Sequence, residues 1–368
     1  MRAMILGLLV IFAAAATATP AAKAQSSDAP QVENARVEKK TLAGPLAAEV
    51  KAWATKAEEP QWLGYAVPQM GRERMMCCGD YDGSWRNGCG HCRLEDRDSG
   101  TNMSSKEEPA TTKLEAPRSI AVLFRAENKH LTKIRVVSME CSLDAGGLPF
   151  VWLSGVKPVE SVELLETFVR GTDLDAHDDD HTSHGALTAI ALHADPAADR
   201  ALESLTRTGE PESLRKQTAF WLGAAREKAG LVVLQKMAKS DPSSEVRAQV
   251  TFALSVSHER GAVEEMIRMA HDDQSSHVRG QALFWLAHRA GQKAVGAITG
   301  AIENDPDTDV KKKAVFALSQ LPKDEGVPKL IEVAQTNRNR EVRKQAMFWL
   351  GQSHDPRALA FFEKILTQ

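Results

Sequence analysis

The chain has 368 residues, enough for two ordinary domains, and its 43% hydrophobic and 26% charged content lies in the globular range, so disorder is not the expectation. Lys and Arg number 46 against 49 Asp and Glu, a net charge of −3, so no basic footprint argues for nucleic acid.

The N-terminus carries one Arg, then an apolar run from Met4 to about Ala16, then Ala22-Lys23-Ala24. That order predicts a secretory signal peptide over 1–24, cleaved after Ala24, and hence a secreted or periplasmic protein. The apolar run is shorter than the roughly 20 residues of a membrane span, and no later stretch is long and apolar enough, so no stable span is expected after cleavage. Residues 25–59 read as a polar, flexible linker followed by a short helix over "PLAAEVKAWATKAE".

Residues 60–157 are expected to form a cysteine-containing α+β domain. Its first part, up to 117, reads as irregular, with Gly, Asp, Asn and Pro recurring. All five cysteines fall before residue 142: Cys77, Cys78, Cys89, Cys92 and Cys141. Export permits disulfides, and the odd count leaves one thiol spare or paired to another chain. Cys141 is expected to pair with one member of the 77–92 cluster. The "CGHC" at 89–92 matches the dithiol of disulfide isomerases, in which one thiolate attacks and the other resolves. The strand before and long helix after that such chemistry uses are not evident here. Zinc ligation is a second reading, which adjacent Cys77-Cys78 suits poorly, and structural disulfides that staple a loop-rich segment of little apolar content are the leading one. The runs "SIAVLFRAENKHLTKIRVVSME" and "LPFVWLSG" predict a short antiparallel sheet of three strands.

From 158 onward the chain reads as helical. Pro158 opens a helix and Gly171 lies just past its end. In "GTDLDAHDDDHTSH" at 171–184, His177, His181 and His184 stand at i, i+4, i+7, which on a helix would gather imidazoles suited to Zn²⁺ or Mn²⁺. Gly171, Asp173 and Asp175 favour a loop instead, and no metal or cofactor is expected.

Then a motif recurs every 32 residues: "LRKQTAFWLG" from 214, "VRAQVTFALS" from 246, "VRGQALFWLA" from 278, "VKKKAVFALS" from 310 and "VRKQAMFWLG" from 342. A weaker unit precedes them from 184. Each unit holds two helical runs: Val278, Ala282, Trp285 and Leu286 share one face of the first, and Val327, Leu330 and Ala334 one face of a second. Neither face can be buried within one unit, so about six helix pairs should stack as a right-handed α-solenoid over 158–368. The fold class is mainly α.

These units resemble HEAT repeats in the short form named after phycobilisome lyases, through Asp241-Pro242 before Val246-Arg247 and Asp305-Pro306 before Val310-Lys311. In that family such arrays usually bind proteins. Some members are di-iron hydroxylases with His-Glu pairs inside the first helix. The matching positions here hold Lys216-Gln217, Ala248-Gln249, Gly280-Gln281, Lys312-Lys313 and Lys344-Gln345, so that reading lacks its ligands. The expectation is a non-enzymatic scaffold for a protein or peptide, its surface supplied chiefly by the second helices. The alternative is a thiol-disulfide oxidoreductase using Cys89 and Cys92.

Three periodic rows carry the site question. Arg215, Arg247, Arg279, Lys311 and Arg343 form a basic ladder, expected to be neutralised by Asp241, Asp273 and Asp305. Trp221, Trp285 and Trp349 recur in every second unit, with Ala253 and Ala317 between, as a large-small packing pattern. Phe220, Phe252, Phe284, Phe316 and Phe348 stand about 120° from the core direction. They either pack along the array axis or form an exposed ridge for an extended peptide.

Overall fold

The computed structural model describes residues 29–70, 92–95, 119–139, 141–170 and 179–367. Two strands, β1 (Val32–Glu33) and β2 (Val37–Thr41), lie where composition suggests a linker. β2 is a charged edge strand, "VEKKT", whose ladder bonds leave no apolar alternation in the sequence. Helix α1 follows (Leu46–Ala54), buried through Leu46, Val50 and Ala54.

Next comes β3 (Gln61–Pro68), inside the stretch that reads as irregular. Its run "QWLGYAVP" contains Gly64 and ends on Pro68, both breakers by composition. The glycine is there for closeness: a Cβ at Gly64 would stand 2.7 Å from Leu123 Cδ2 and 3.0 Å from the Trp152 ring. β4 (Cys92–Arg93), β5 (Ser119–Glu127), β6 (His130–Ser138), β7 (Leu143–Asp144) and β8 (Phe150–Ser154) complete the strands among the described residues. The five-stranded sheet has the order β2-β8-β3-β5-β6. The expected antiparallel pairing holds for β5-β6; β3, which the sequence does not predict, pairs antiparallel with β5, and β8 lies parallel between β2 and β3 instead of following β6. A three-stranded sheet, β1-β7-β4, is parallel throughout.

Both faces of the larger sheet are covered, which is why its central strands read as apolar runs rather than alternating ones. Leu63, Tyr65, Val122, Phe124 and Val151 join the core shared with the helices. Trp62, Leu123, Phe150 and Trp152 face a smaller core with Cys92, Leu94, Cys141 and Leu143. Glu95 fastens this smaller layer, accepting from Trp62 Nε1 at 2.8 Å and pairing with the Arg125 guanidinium at 3.0 Å.

Helix α2 (Pro158–Val169) has Pro at its first turn, as the sequence predicts. α3 (Asp179–Leu192) then packs on both α2 and β6. At Gly185 a Cβ would stand 2.1 Å from the Ile134 carbonyl oxygen, so the helix backbone rests directly on the strand. α3 and α4 (Pro196–Leu205) form the weak first unit. The five full units are α5 (Glu212–Ala225) with α6 (Glu227–Ser240), α7 (Ser244–Val256) with α8 (Gly261–Asp272), α9 (Ser276–Ala290) with α10 (Gln292–Asn304), α11 (Thr308–Ser319) with α12 (Lys323–Thr336), and α13 (Arg340–Gln352) with α14 (Pro356–Leu366). Six helix pairs are thus present among the described residues, as the period implies. No helix among the described residues is long and apolar enough to cross a membrane.

One core runs from Leu46 through the sheet into Phe361 of α14, so the array is packed onto the sheet rather than tethered to it. A buried polar chain crosses that junction. The Tyr65 hydroxyl lies 2.7 Å from Ser161 Oγ, which lies 2.9 Å from His193 Nε2. His193 Nδ1 lies 2.6 Å from the Ala189 carbonyl oxygen. Every group is satisfied when Tyr65 donates to Ser161, Ser161 to His193, and His193 Nδ1–H to Ala189. Burial raises the Tyr65 pKa, which keeps its hydroxyl a donor. The buried Arg226 guanidinium closes the junction, pairing with Asp199 at 2.6 Å and donating to the carbonyl oxygen of His193 at 2.6 Å.

Burial, opposed by the hydrogen bond to Ala189 and by Asp195 and aided by the nearby Arg226 charge, lowers the His193 pKa from 6.5 to about 4. The unfolded chain therefore takes up a proton between those values that the native protein refuses. Stability from this group is complete above pH 6.5 and is lost as pH falls to 4, a change of about 3 kcal/mol. Urea unfolding at pH 7, 5 and 4 should show this fall in the native protein and a smaller one in His193→Gln. Equal falls in both would place the acid sensitivity elsewhere.

Candidate functional site

Each unit opens on a capped loop. Asp241, Asp273, Asp305 and Asn337 each accept the backbone N–H two residues on, at 2.8–2.9 Å. The basic ladder closes on these same residues. Arg215 meets both carboxylate oxygens of Asp241 at 2.9 and 3.2 Å, Arg247 those of Asp273 at 2.8 and 3.0 Å, and Arg279 those of Asp305 at 2.7 and 3.0 Å. The third nitrogen of each guanidinium donates to a carbonyl of its own unit's entry loop, as in Arg279 to Asp273. At the fourth rung both partners change together: Lys311 donates to the Glu303 carbonyl, and Asn337 stands in the carboxylate's place. The first three rungs are thus internal ion pairs, as their offsets imply, while Lys311 and Arg343 donate to backbone carbonyls and make no ion pair among the described residues.

The aromatic residues make a different row. The Phe220 and Phe252 rings stack at 5.9 Å and 13°. Phe252 meets Trp285 at 4.7 Å, Trp285 meets Phe284 at 4.9 Å, and Phe284 stacks on Phe316 at 6.0 Å and 11°. Phe316 meets Trp349 at 4.9 Å, and Trp349 meets Phe348 at 5.0 Å. With Trp221 against Phe220 at 5.2 Å, eight rings run unbroken from α5 to α13.

The Trp alternation follows from this row. Trp285 and Trp349 each reach back to the Phe of the preceding unit, while Ala253 and Ala317 stay buried between. Trp221 is 2% exposed, so it is core. Trp285 and Trp349 are half-buried, as are Phe220, Phe252, Phe284 and Phe316. Phe348 is 53% exposed. The rings therefore pack between units along the array, and all but Trp221 also show an edge to solvent. The first helices, not the second, carry this apolar surface, because they are the ones that pack on each other along the array.

Beside Trp349 lies a cavity of about 160 Å³ lined by Leu318, Leu321, Gln352 and Ser353. The Trp349 indole N–H is buried there without an acceptor. Two units earlier the residue matching Ser353 is Arg289, whose guanidinium donates to the Ser257 carbonyl.

The other sequence candidates are dispersed or outside the described residues. Cys77, Cys78, Cys89 and His177 fall outside them. Cys92, in β4, and Cys141, just after β6, are buried and each disulfide-bonded. His181 lies in the first turn of α3, and His184, one turn on, meets Gln217 at 2.8 Å. No group of metal-ligating side chains occurs among the described residues. Sequence reasoning treated the Phe and Trp rows separately. That they form one row depends on the distance between adjacent units, which no single helix records.

Stacked helix pairs with this Arg–Asp bracing define an α-solenoid of repeats. A family profile described as HEAT repeats matches residues 200–287, 263–350 and 295–368. Residues 200–368 are HEAT repeats. No curated protein matches the chain. The CpcE–CpcF complex of phycocyanin lyase from Nostoc is 18% identical over 42% of this chain and 99% of its own, with a TM-score of 0.33. Human deoxyhypusine hydroxylase is 19% identical over 56% of this chain and 81% of its own, with a TM-score of 0.25. Kap95p, solved with RanGDP, is 14% identical over 54% of this chain and 33% of its own, with a TM-score of 0.31. These likenesses are too low to argue an activity or a partner.

Removing one member of a buried ion pair strands the other. Arg279→Ala should cost about 3 kcal/mol, near the lower end for broken buried pairs. Lys311→Ala, which breaks a single exposed bond, should cost under about 0.5 kcal/mol. Thermal unfolding of the two variants checks this, and similar losses would mean the ladder is not the tie between units.

Burial ranks the rings. Trp221→Ala should cost about 3–5 kcal/mol, the range for a buried aromatic, and Phe348→Ser under about 1 kcal/mol. Trp285→Ala should fall between them, because its solvent-facing edge loses little. Urea denaturation gives the order, and a Phe348→Ser loss as large as that of Trp221→Ala would make the whole row core.

Proposed function

We propose that this protein is an exported, non-enzymatic scaffold of the cell envelope whose first-helix aromatic row binds another protein. The continuity of eight rings over five units, all but Trp221 open to solvent at least in part, is the observation that carries the reading. Stacked repeats need inter-unit packing, but they do not need an apolar edge left facing water along their length. The export half of the proposal is supported by the Arg, apolar run and Ala-x-Ala order of the N-terminus and by cysteines confined to the first 141 residues. Disulfides at Cys92 and Cys141 fit an oxidising compartment.

The thiol-disulfide reading fares less well. Reactive dithiols draw their low pKa from a helix N-terminus, whereas Cys92 sits in a two-residue strand paired with Leu143.

Photo-crosslinking groups placed at Gln281 and Phe348, on the row, and at Val232, on a second helix, test the proposal in native envelope material. One partner should crosslink from the first two positions and not from the third. The same partner captured only from Val232 would move the site to the second helices, as the sequence alone suggests. Thiol counting of the oxidised protein adds a check on the enzyme reading: one inert thiol is expected, and a readily reducible Cys89–Cys92 pair would support the oxidoreductase.

A further inference from the structure

The outer face of the fifth full unit differs from those before it. In each earlier unit the next helix pair lies against this face, whereas nothing among the described residues lies on the far side of α13 and α14. A solenoid keeps a bare end soluble by making that end polar. This face is apolar instead. Met347 on α13 is half-buried, while Ala219, Thr251, Leu283 and Val315 at the same position are fully buried. On α14, Leu366 is 85% exposed, against 1–3% for Ala238, Ala270 and Ile302 at its position. Leu359 is 61% exposed, against 3% for Val327. Phe362 is half-buried where Leu234, Met266, Ile298 and Leu330 are buried. Leu359, Phe362 and Leu366 stand at i, i+3 and i+7, so they form one stripe.

Two opposite charges flank that stripe without partners. Arg343 donates through Nη1 to the Asn337 and Arg338 carbonyls at 2.7 and 3.0 Å. Arg247 and Arg279 make the same loop bonds, then close on an Asp of the next unit through Nε and Nη2. Those two nitrogens of Arg343 hold no carboxylate among the described residues. Glu363 is exposed and makes no ion pair there, while Gln235, Ile267, Thr299 and Ile331 at its position are half-buried. The position thus borders the contact between units. The short turn 353–355 folds α14 back along α13, so Arg343 near the start of one helix and Glu363 near the end of the other share one end of the unit. Arg340, one turn before, stays exposed at the rim.

A second copy of this chain meets these demands. A head-to-tail copy would have to offer the entry side of its array, and that side is taken: α3 rests on β6 at Gly185, and one core continues from the array into the sheet. A copy therefore meets this face with its own outer face, and such a contact is two-fold. The face is complementary to itself. Apolar burial is non-directional, so the stripe suits its own image. With the two-fold axis along the helices, each Arg343 comes opposite the Glu363 of the other copy.

We infer that the protein forms a two-fold dimer through the outer face of its fifth unit. Met347, Leu359, Phe362 and Leu366 are buried between copies, and Arg343 of each copy pairs with Glu363 of the other. This contact is separate from the aromatic row: on α13, Trp349 faces Phe316 of the preceding unit, and Met347 and Arg343 face the opposite way.

Sedimentation equilibrium of the full chain, with free thiols blocked, tests this over about 1–200 μM. A dissociation constant on the order of 10 μM is expected for so small a face. Leu359→Glu with Leu366→Glu changes only exposed side chains, so the melting temperature should hold while dimerisation weakens about 30-fold or more. Glu363→Arg alone should weaken the dimer about five-fold, and adding Arg343→Glu in the same chain should restore most of that loss, as reciprocal pairing requires. A photo-crosslinking group at Leu359 should give an adduct of twice the chain's mass. A monomer at every concentration, a dimer untouched by the double Leu variant, or a crosslink from Leu359 to another protein and never to a second copy overturns the inference.

Discussion

A helix pair of 32 residues cannot bury its own apolar stripe. Val246, Val278, Val310 and Val342 are almost fully buried because another unit lies against each. This constraint sets the architecture from α5 to α14. It makes the array a one-dimensional sum of nearly identical interfaces, in which each unit depends on its neighbours. The Arg–Asp ties are secondary to it: they fix the register of one unit on the next and satisfy entry-loop groups that would otherwise be buried without partners.

Stacking leaves two kinds of residue on the first helices. Those on the stripe are hidden, and their identity follows from volume. Those at the flank meet the neighbouring unit only in part. The Phe row is of the second kind, close enough for ring-to-ring contact at about 6 Å and open enough to leave an edge in water. A surface of this sort forms at no cost to packing, because the same rings that join the units also present the edge.

The front of the molecule obeys a different constraint. Its sheet has a core on each face, and the array grows from one of them. Gly185 lets α3 lie against β6, while Tyr65, Ser161, His193 and Arg226 meet there with every polar group paired. Such a network is intolerant of added charge, and so the imidazole is held neutral.

The array was legible in the residues themselves. A period of 32, an apolar stripe at helical spacing and Asp placed 26 residues after Arg describe contacts between like units, so one unit's sequence implies its neighbour's position. The front end was legible only in part. The runs at β5, β6 and β8 stand out by β-branched and aromatic content, but β3 is masked by Gly64 and Pro68, and β2 by its lysines. Their pairing is long-range: β2 meets β8 from more than a hundred residues away, and no local pattern encodes that choice or its parallel sense. The same holds for Tyr65 with Ser161 and His193. Sequence alone determined that helix pairs repeat, stack and brace one another, because repetition turns tertiary contacts into local periodicity. Tertiary structure decided which strands pair, which polar groups meet at the junction, and that the Phe and Trp residues form one row, because those outcomes depend on distances between segments that carry no common period.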